Sequence, residues 1–111
     1  EPVTTYRVVR DTETARAVKA LHGYRCQVCG TSIELPDGGR YAEAHHVRPL
    51  GEPHNGPDVA ANLVCVCPNH HAELDLGLWD IDPARLRAVA GHAVGLEYVQ
   101  YHNEVIRSRW R

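Results

Sequence analysis

Cys26 and Cys29 form a CxxC, and Cys67 and His70 form a CxxH, two ligand pairs with the same gap on either side of a long stretch of chain. Each pair can grip one ion from a tight turn, and four protein donors of this kind suit tetrahedral zinc in a closed, structural site. The four cysteines could instead make two disulfides. The spacing fits ligation better, and a reducing cytoplasm follows as the expected compartment. Cys65 complicates the count, because in an extended CVC it points to the same side as Cys67. The CPNH spacing favours Cys67, which leaves Cys65 as the alternative ligand or as a small buried side chain. With His70 assigned to zinc, His45, His46 and His71 remain. Neighbouring strand residues face opposite ways, so the doublet at 45 and 46 implies two different roles.

The elements that must position these side chains can be read around them. TETARAVKALH, residues 12–22, places Ala15, Val18, Ala20 and Leu21 near helical spacing, an amphipathic helix that delivers the chain to Cys26. YRCQVCG reads as a knuckle in which Gly30 relieves crowding around the sulfurs. LPDGGRYAEAHHV holds a turn followed by alternation from Tyr41 to Val47, a strand. GEPHNGPD, residues 51–58, is a loop, with Asp58 placed to cap the helical turn VAAN before the strand LVCVC. Asn69 is placed to cap the next helix, which Gly77 would end. Pro83 suits the start of a helix over PARLRAVA, closed by Gly91. The tail from Leu96 predicts a last helix with Tyr98, Tyr101, Val105 and Trp110 on one side. The expected organisation is one domain over 1–111, with a helix at about 12–22, a core at about 24–77 and helices over about 83–111.

An HH doublet, an Asn in a short turn and a His early in a helix, with CxxC and CxxH around them, resemble the HNH nucleases of the ββα-metal class. The resemblance runs from about Tyr24 to Gly77 and implies an α+β fold, a ββα-metal core with a structural zinc site and flanking helices. It implies His45 and His71 as ligands of a catalytic divalent metal, His46 as general base and Asn62 as its support. Asp75 lies four residues after His71 on the same helix face and could complete the metal site or orient His71; where some members carry a His, this chain has Asp. Glu43 shares a strand face with His45 and is a weaker candidate. Arg48, two residues past His46, could touch a phosphate. The remaining histidines, His22, His54, His92 and His102, match no position of the motif. Phosphodiester hydrolysis needs a deprotonated water and relief of charge on phosphate and leaving oxygen, which one imidazole and one divalent ion can supply. Two imidazoles with at most one carboxylate form a nitrogen-rich set, so Mn²⁺, Co²⁺ or Ni²⁺ should serve at least as well as Mg²⁺.

Composition bounds the rest. The chain has 111 residues, no Phe or Met and only 6% aromatics, so its apolar core is thin. A structural zinc, worth on the order of 10 kcal/mol, would supply what burial does not. No apolar run approaches the length of a membrane span, and the chain reads as a soluble domain cut from a longer bacterial, cytoplasmic protein. The net charge is −2, but ten of the twelve basic residues lie outside residues 26–80, and arginine's planar fork suits phosphate. Nothing reads as a major-groove helix. The flanks YRVVRDTETARAVKALHGYRCQVCG and YVQYHNEVI are similar to HNH domains of modification-dependent restriction enzymes, which implies double-stranded DNA as partner, with methylated or phosphorothioated DNA read by another domain. Double-strand cutting by a single site would call for a homodimer. The alternative from another class is a non-catalytic zinc module that binds DNA or protein.

Overall fold

A computed structural model describes residues 11–111; Arg7 and Arg10 of the basic flank lie outside the described residues. Helix α1 (Glu13–Leu21) leads to the knuckle. A small antiparallel hairpin follows, β1 (Ile33–Glu34) with β2 (Arg40–Tyr41). The central hairpin pairs β3 (Glu43–His46) with β4 (Leu63–Val66), and α2 (Pro68–Leu76) follows directly. Single 3₁₀ turns occupy Ala60–Asn62, Pro83–Arg85 and Ile106–Trp110, and α3 (Leu96–Glu104) precedes the last of them. This is the expected α+β arrangement, two strands and a helix with helices at either side.

The register of the central hairpin decides which side chains meet. His45 pairs with Val64 and His46 with Leu63, so the two histidines lie on opposite faces of one ribbon. Val64 and Val66 pack with Leu74 of α2 in the main core, together with Val47, Ile81 and Val99. Leu63 packs instead with Ala15 and Val18 of α1, and Ala44 joins them. The ribbon is therefore held between two helices, with Glu43 and His45 toward α2 and Ala44 and His46 toward α1.

Local signals account for the helix limits. Thr12 caps α1 by accepting the Ala15 amide, and the buried stripe is narrower than the sequence predicts, since Ala20 and Leu21 are exposed. At α2, Asn69 is not the cap: Cys67 is, its sulfur accepting from the His70 amide, with Pro68 in the first turn. Gly77 ends α2 with φ 69, as predicted. Asp58 caps nothing, because Val59 occupies the cap position of the 3₁₀ turn and the Asp58 carboxylate is engaged elsewhere.

The helix expected over PARLRAVA is a single 3₁₀ turn. The Arg87 amide donates to the Gln27 carbonyl at 2.7 Å, drawing the chain out of helical geometry against the knuckle. The last helix stops at Glu104, so Val105 and Trp110 do not continue its inner side and are exposed; Val99 and His102 form the buried face. The tail then returns to α2. Arg107 bonds Asp80 at 2.7 Å and the carbonyls of Gly77 and Leu78, while Arg109 and Trp110 both donate to the Leu76 carbonyl. Cations and donors at a helix C-terminus satisfy its orphan carbonyls and its dipole. Three basic side chains of the C-terminal flank, Arg107 and Arg109 here and Arg111 on Asn103, thus hold the fold.

Gly77 gives a direct test of that closure. A Cβ there would lie 2.7 Å from the Ile106 carbonyl oxygen, on a backbone with φ +69. Gly77→Ala should cost on the order of 2 kcal/mol, a Tm drop of about 10 °C. Gly38→Ala, with φ +88 and open space, should cost only about 1 kcal/mol. Thermal unfolding of the two variants in parallel checks the difference, and equal losses would mean that the tail does not press on α2.

Candidate active site and metal centres

The first cluster joins the knuckle to the start of α2. Ligand atoms of Cys26, Cys29, Cys67 and His70 all lie within 4.8 Å of one another. The Cys29 and Cys67 sulfurs are 3.9 Å apart, and His70 Nδ1 lies 3.3 Å from Cys67 Sγ and 3.5 Å from Cys26 Sγ. A tetrahedron with zinc bonds of about 2.0–2.3 Å has edges of about 3.3–3.8 Å, so the donors already stand near the separations such an ion requires. Backbone amides of Val28 and His70 point at the Cys26 and Cys67 sulfurs. Gly30 closes the knuckle with φ 79 and an amide bond to the Cys26 carbonyl.

Burial is the largest single influence on Cys29 and opposes its ionisation, but hydrogen bonds from Thr31, Cys26 and Cys67 together outweigh it and bring the thiol down to about 6. Cys65 is different. It is fully buried, lies outside the cluster, and burial beside Cys26 pushes its thiol up to about 12. Gln27, between the two knuckle cysteines, exchanges backbone bonds with Cys65 and Arg87, and its side-chain oxygen accepts the Cys65 amide. The knuckle is thereby docked on the ribbon.

The second cluster lies between β3 and α2. His45, His71 and Asp75 bring their ligand atoms within 4.8 Å. The pleat that turns Val64 toward α2 turns His45 the same way, and the helical step from His71 to Asp75 sets both on the facing side. His45 Nδ1 is 3.1 Å from Asp75 Oδ1 without hydrogen-bond alignment, and His71 Nε2 is 3.6 Å from Asp75 Oδ2. Both ring nitrogens of His45 and Nε2 of His71 are buried without a hydrogen bond among the described residues. Burial lowers His45 to about 4 against the opposing pull of Asp75, so its ring is neutral near pH 7. Buried imidazole nitrogens without a hydrogen bond, set beside a carboxylate, fit a divalent cation.

Two carboxylates do more than the sequence indicates. Glu43 Oε1 lies 2.8 Å from His71 Nδ1, and its other oxygen accepts from Tyr41 at 2.6 Å. A carboxylate only accepts, so His71 carries its proton on Nδ1 and turns Nε2 toward Asp75. The period-two alternation from 43 to 45 is the signal that could have promoted Glu43. Asp58 Oδ1 lies 2.8 Å from His46 Nε2 across the loop. No spacing rule announces that pair.

His46 itself is not gathered into the second cluster; its ring is 2% exposed on the α1 side of the ribbon, with Nδ1 buried and without a hydrogen bond. Asn62 is fully buried, accepts the Arg48 amide and donates to the carbonyls of Arg48 and Pro57, so it holds the chain beyond His46 rather than the ring. Arg48 sends Nε to the His54 carbonyl and lies over the Tyr101 ring at 4.5 Å. The histidines outside the motif have structural partners: His22 with His92, His54 with Tyr101, and His102 with the Trp79 carbonyl.

Comparison with known proteins converges on the same region. The family profile described as HNH endonuclease matches residues 26–82, which contain both clusters. A type IV methyl-directed restriction enzyme of Escherichia coli (strain K12), EcoKMcrA, is 45% identical over 51 residues, 44% of this chain and 18% of that protein. Among solved structures, a modification dependent TagI restriction endonuclease superposes with TM-score 0.74 at 37% identity, over 85% of this chain and 37% of that one. The chain thus spans less than a fifth of the curated relative.

Proposed function

The chain belongs to the HNH endonuclease family, phosphodiester hydrolases that use a divalent metal, and on that premise we propose that it is the DNA-cleaving domain of a modification-dependent restriction enzyme. The observation that carries this reading is the convergence of His45, His71 and Asp75, with buried unspent nitrogens, on one point of the ββα core. A non-catalytic zinc module would account for the cysteine cluster but not for that second group.

In this reading Cys26, Cys29, Cys67 and His70 hold a structural zinc, and His45, His71 and Asp75 hold the catalytic ion. When bound, that ion supplies charge relief for the scissile phosphate and the leaving 3′ oxygen. Glu43, steadied by Tyr41, keeps the His71 proton on Nδ1 and thereby fixes the ligating nitrogen. His46 is the base in this reading, and Nδ1 is the ring nitrogen that its contact with Asp58 leaves without a partner. Asn62 positions the base by clamping the backbone after it. Arg48, its plane set by Tyr101 and His54, offers its outer edge to a backbone phosphate.

Double-stranded DNA is the substrate class that the restriction-enzyme relatives support. Reading of a methylated or phosphorothioated site belongs, in this proposal, to segments outside the HNH match, and two copies act together where both strands are cut. Among the described residues no helix is long and apolar enough to cross a membrane; a bacterial cytoplasmic setting belongs to the same proposal. The test is nicking of supercoiled plasmid with one metal at a time. Mn²⁺, Co²⁺ or Ni²⁺ should support cutting at least as fast as Mg²⁺, and His71→Ala should remove it. Cutting with Mg²⁺ alone, or cutting that persists in chelator, would sink the assignment of His45 and His71.

A further inference from the structure

His46 closes β3, and the loop after it returns to the same place. Its two ends are fused: Asn62 bonds the Arg48 amide and carbonyl and the Pro57 carbonyl, and the Gly56 amide donates to the Pro49 carbonyl at 2.6 Å. Gly56 sits so close that a Cβ on it would lie 1.9 Å from the Arg48 carbonyl oxygen, so only glycine allows the approach. The middle of the loop is tied as well, through Arg48 Nε on the His54 carbonyl and His54 Nδ1 on the Tyr101 hydroxyl. Asp58, one residue past the fused neck, is thereby brought with Oδ1 2.8 Å from His46 Nε2.

We infer that Asp58 is the positioning residue of His46: it accepts the Nε2 proton, locks the ring, and leaves the lone pair of Nδ1 as the only acceptor the ring can offer. The inference rests on the reading of His46 as the base. The chemistry is that of a hydrogen-bonded orienter. A carboxylate bonded to one ring nitrogen fixes the tautomer and the ring plane, and it stabilises the imidazolium formed when the other nitrogen takes a proton. The geometry also gives the buried Asn62 a reason, since its three bonds hold the neck that delivers Asp58 rather than the ring itself. Asp58 is two-thirds shielded, with 32% of its side chain exposed, and Asp58 and His46 approach from opposite ends of the loop. Such a contact survives only if the neck is rigid.

The test compares Asp58→Ala and Asp58→Asn in the zinc-loaded chain. Asp58→Ala should lower kcat for plasmid nicking by roughly 10- to 100-fold with little change in KM. Asp58→Asn, whose amide oxygen still accepts the Nε2 proton, should recover most of that loss. The readout independent of activity is the His46 Nε2–H resonance in ¹⁵N-labelled protein, assigned by its loss in His46→Ala. It should be a slowly exchanging, downfield signal in the parent, persist in Asp58→Asn, and vanish in Asp58→Ala while the rest of the amide spectrum stays in place. An unchanged resonance in Asp58→Ala, or equal kcat in Asp58→Ala and the parent, overturns the inference. Should His46→Ala itself leave nicking intact, the base assignment fails instead, and the resonance alone still decides whether Asp58 holds the ring.

Discussion

Replacing His46 with Ala should lower the nicking rate by roughly 10²- to 10⁴-fold, the usual contribution of a positioned general base, while leaving the fold and both metal contents unchanged. The imidazole is 2% exposed and sits on the α1 side of the ribbon, against Leu63 rather than against α2. Its removal therefore touches neither the cysteine cluster nor the His45, His71 and Asp75 group. Truncating a buried ring opens a cavity, so some stability is lost, on the order of 2–4 kcal/mol. The assay must accordingly run well below the melting transition, with circular dichroism and metal analysis on the same sample. His46→Gln serves as the companion variant, because it fills most of the volume and supplies an amide but no base. Loss of nicking in both variants with retained fold supports the assignment. Undiminished nicking in either would remove His46 from the chemistry and leave the metal cluster to act with another base.

The second large effect concerns the zinc proposed for the Cys26, Cys29, Cys67 and His70 cluster. Stripping the ion with a strong chelator, or replacing Cys67 with Ser, should abolish the cooperative unfolding transition, since a site of this kind contributes on the order of 10 kcal/mol and a domain of this size has about 5–15 kcal/mol in all. The loss should be large because Cys67 is at once a member of the proposed zinc cluster and the cap of α2, so the helix that carries His71 and Asp75 begins at that cluster. Cys65→Ala is the control. Cys65 has its amide and carbonyl bonded to Gln27 of the knuckle and a thiol raised to about 12, so this variant should retain one equivalent of zinc and lose only about 1 kcal/mol of packing. Native mass spectrometry and thermal melts distinguish the outcomes. A Cys67→Ser protein that melts like the parent would mean that the thin core suffices without the ion.

The limits of the basic flanks illustrate what a linear reading cannot supply. Charge mapped along the chain sets ten of twelve cations outside residues 26–80 and invites a phosphate role. In the structure Arg107, Arg109 and Arg111 are spent on carbonyls of α2, of the turn after it and of α3, and Lys19 on Asp11. Charge is a property of composition, but availability depends on what lies opposite after folding. The same holds for the short helix expected after Pro83, whose local propensity is outweighed by one amide bond from Arg87 to Gln27 of the knuckle.

By itself the sequence determined whatever depends on spacing along the backbone. The two-residue gaps set the knuckle and the start of α2, period two set His45 and His46 on opposite faces, and the four-residue step set His71 beside Asp75. These are consequences of bond geometry over a few residues, and they hold wherever the segment sits. The tertiary structure alone decided the partners: Glu43 for His71, Asp58 for His46, Arg48 and Pro57 for Asn62, the tail for the end of α2. Each of those contacts closes a loop or docks one element on another, so it is fixed by the summed burial and hydrogen bonding of distant segments, a quantity no short window of sequence contains.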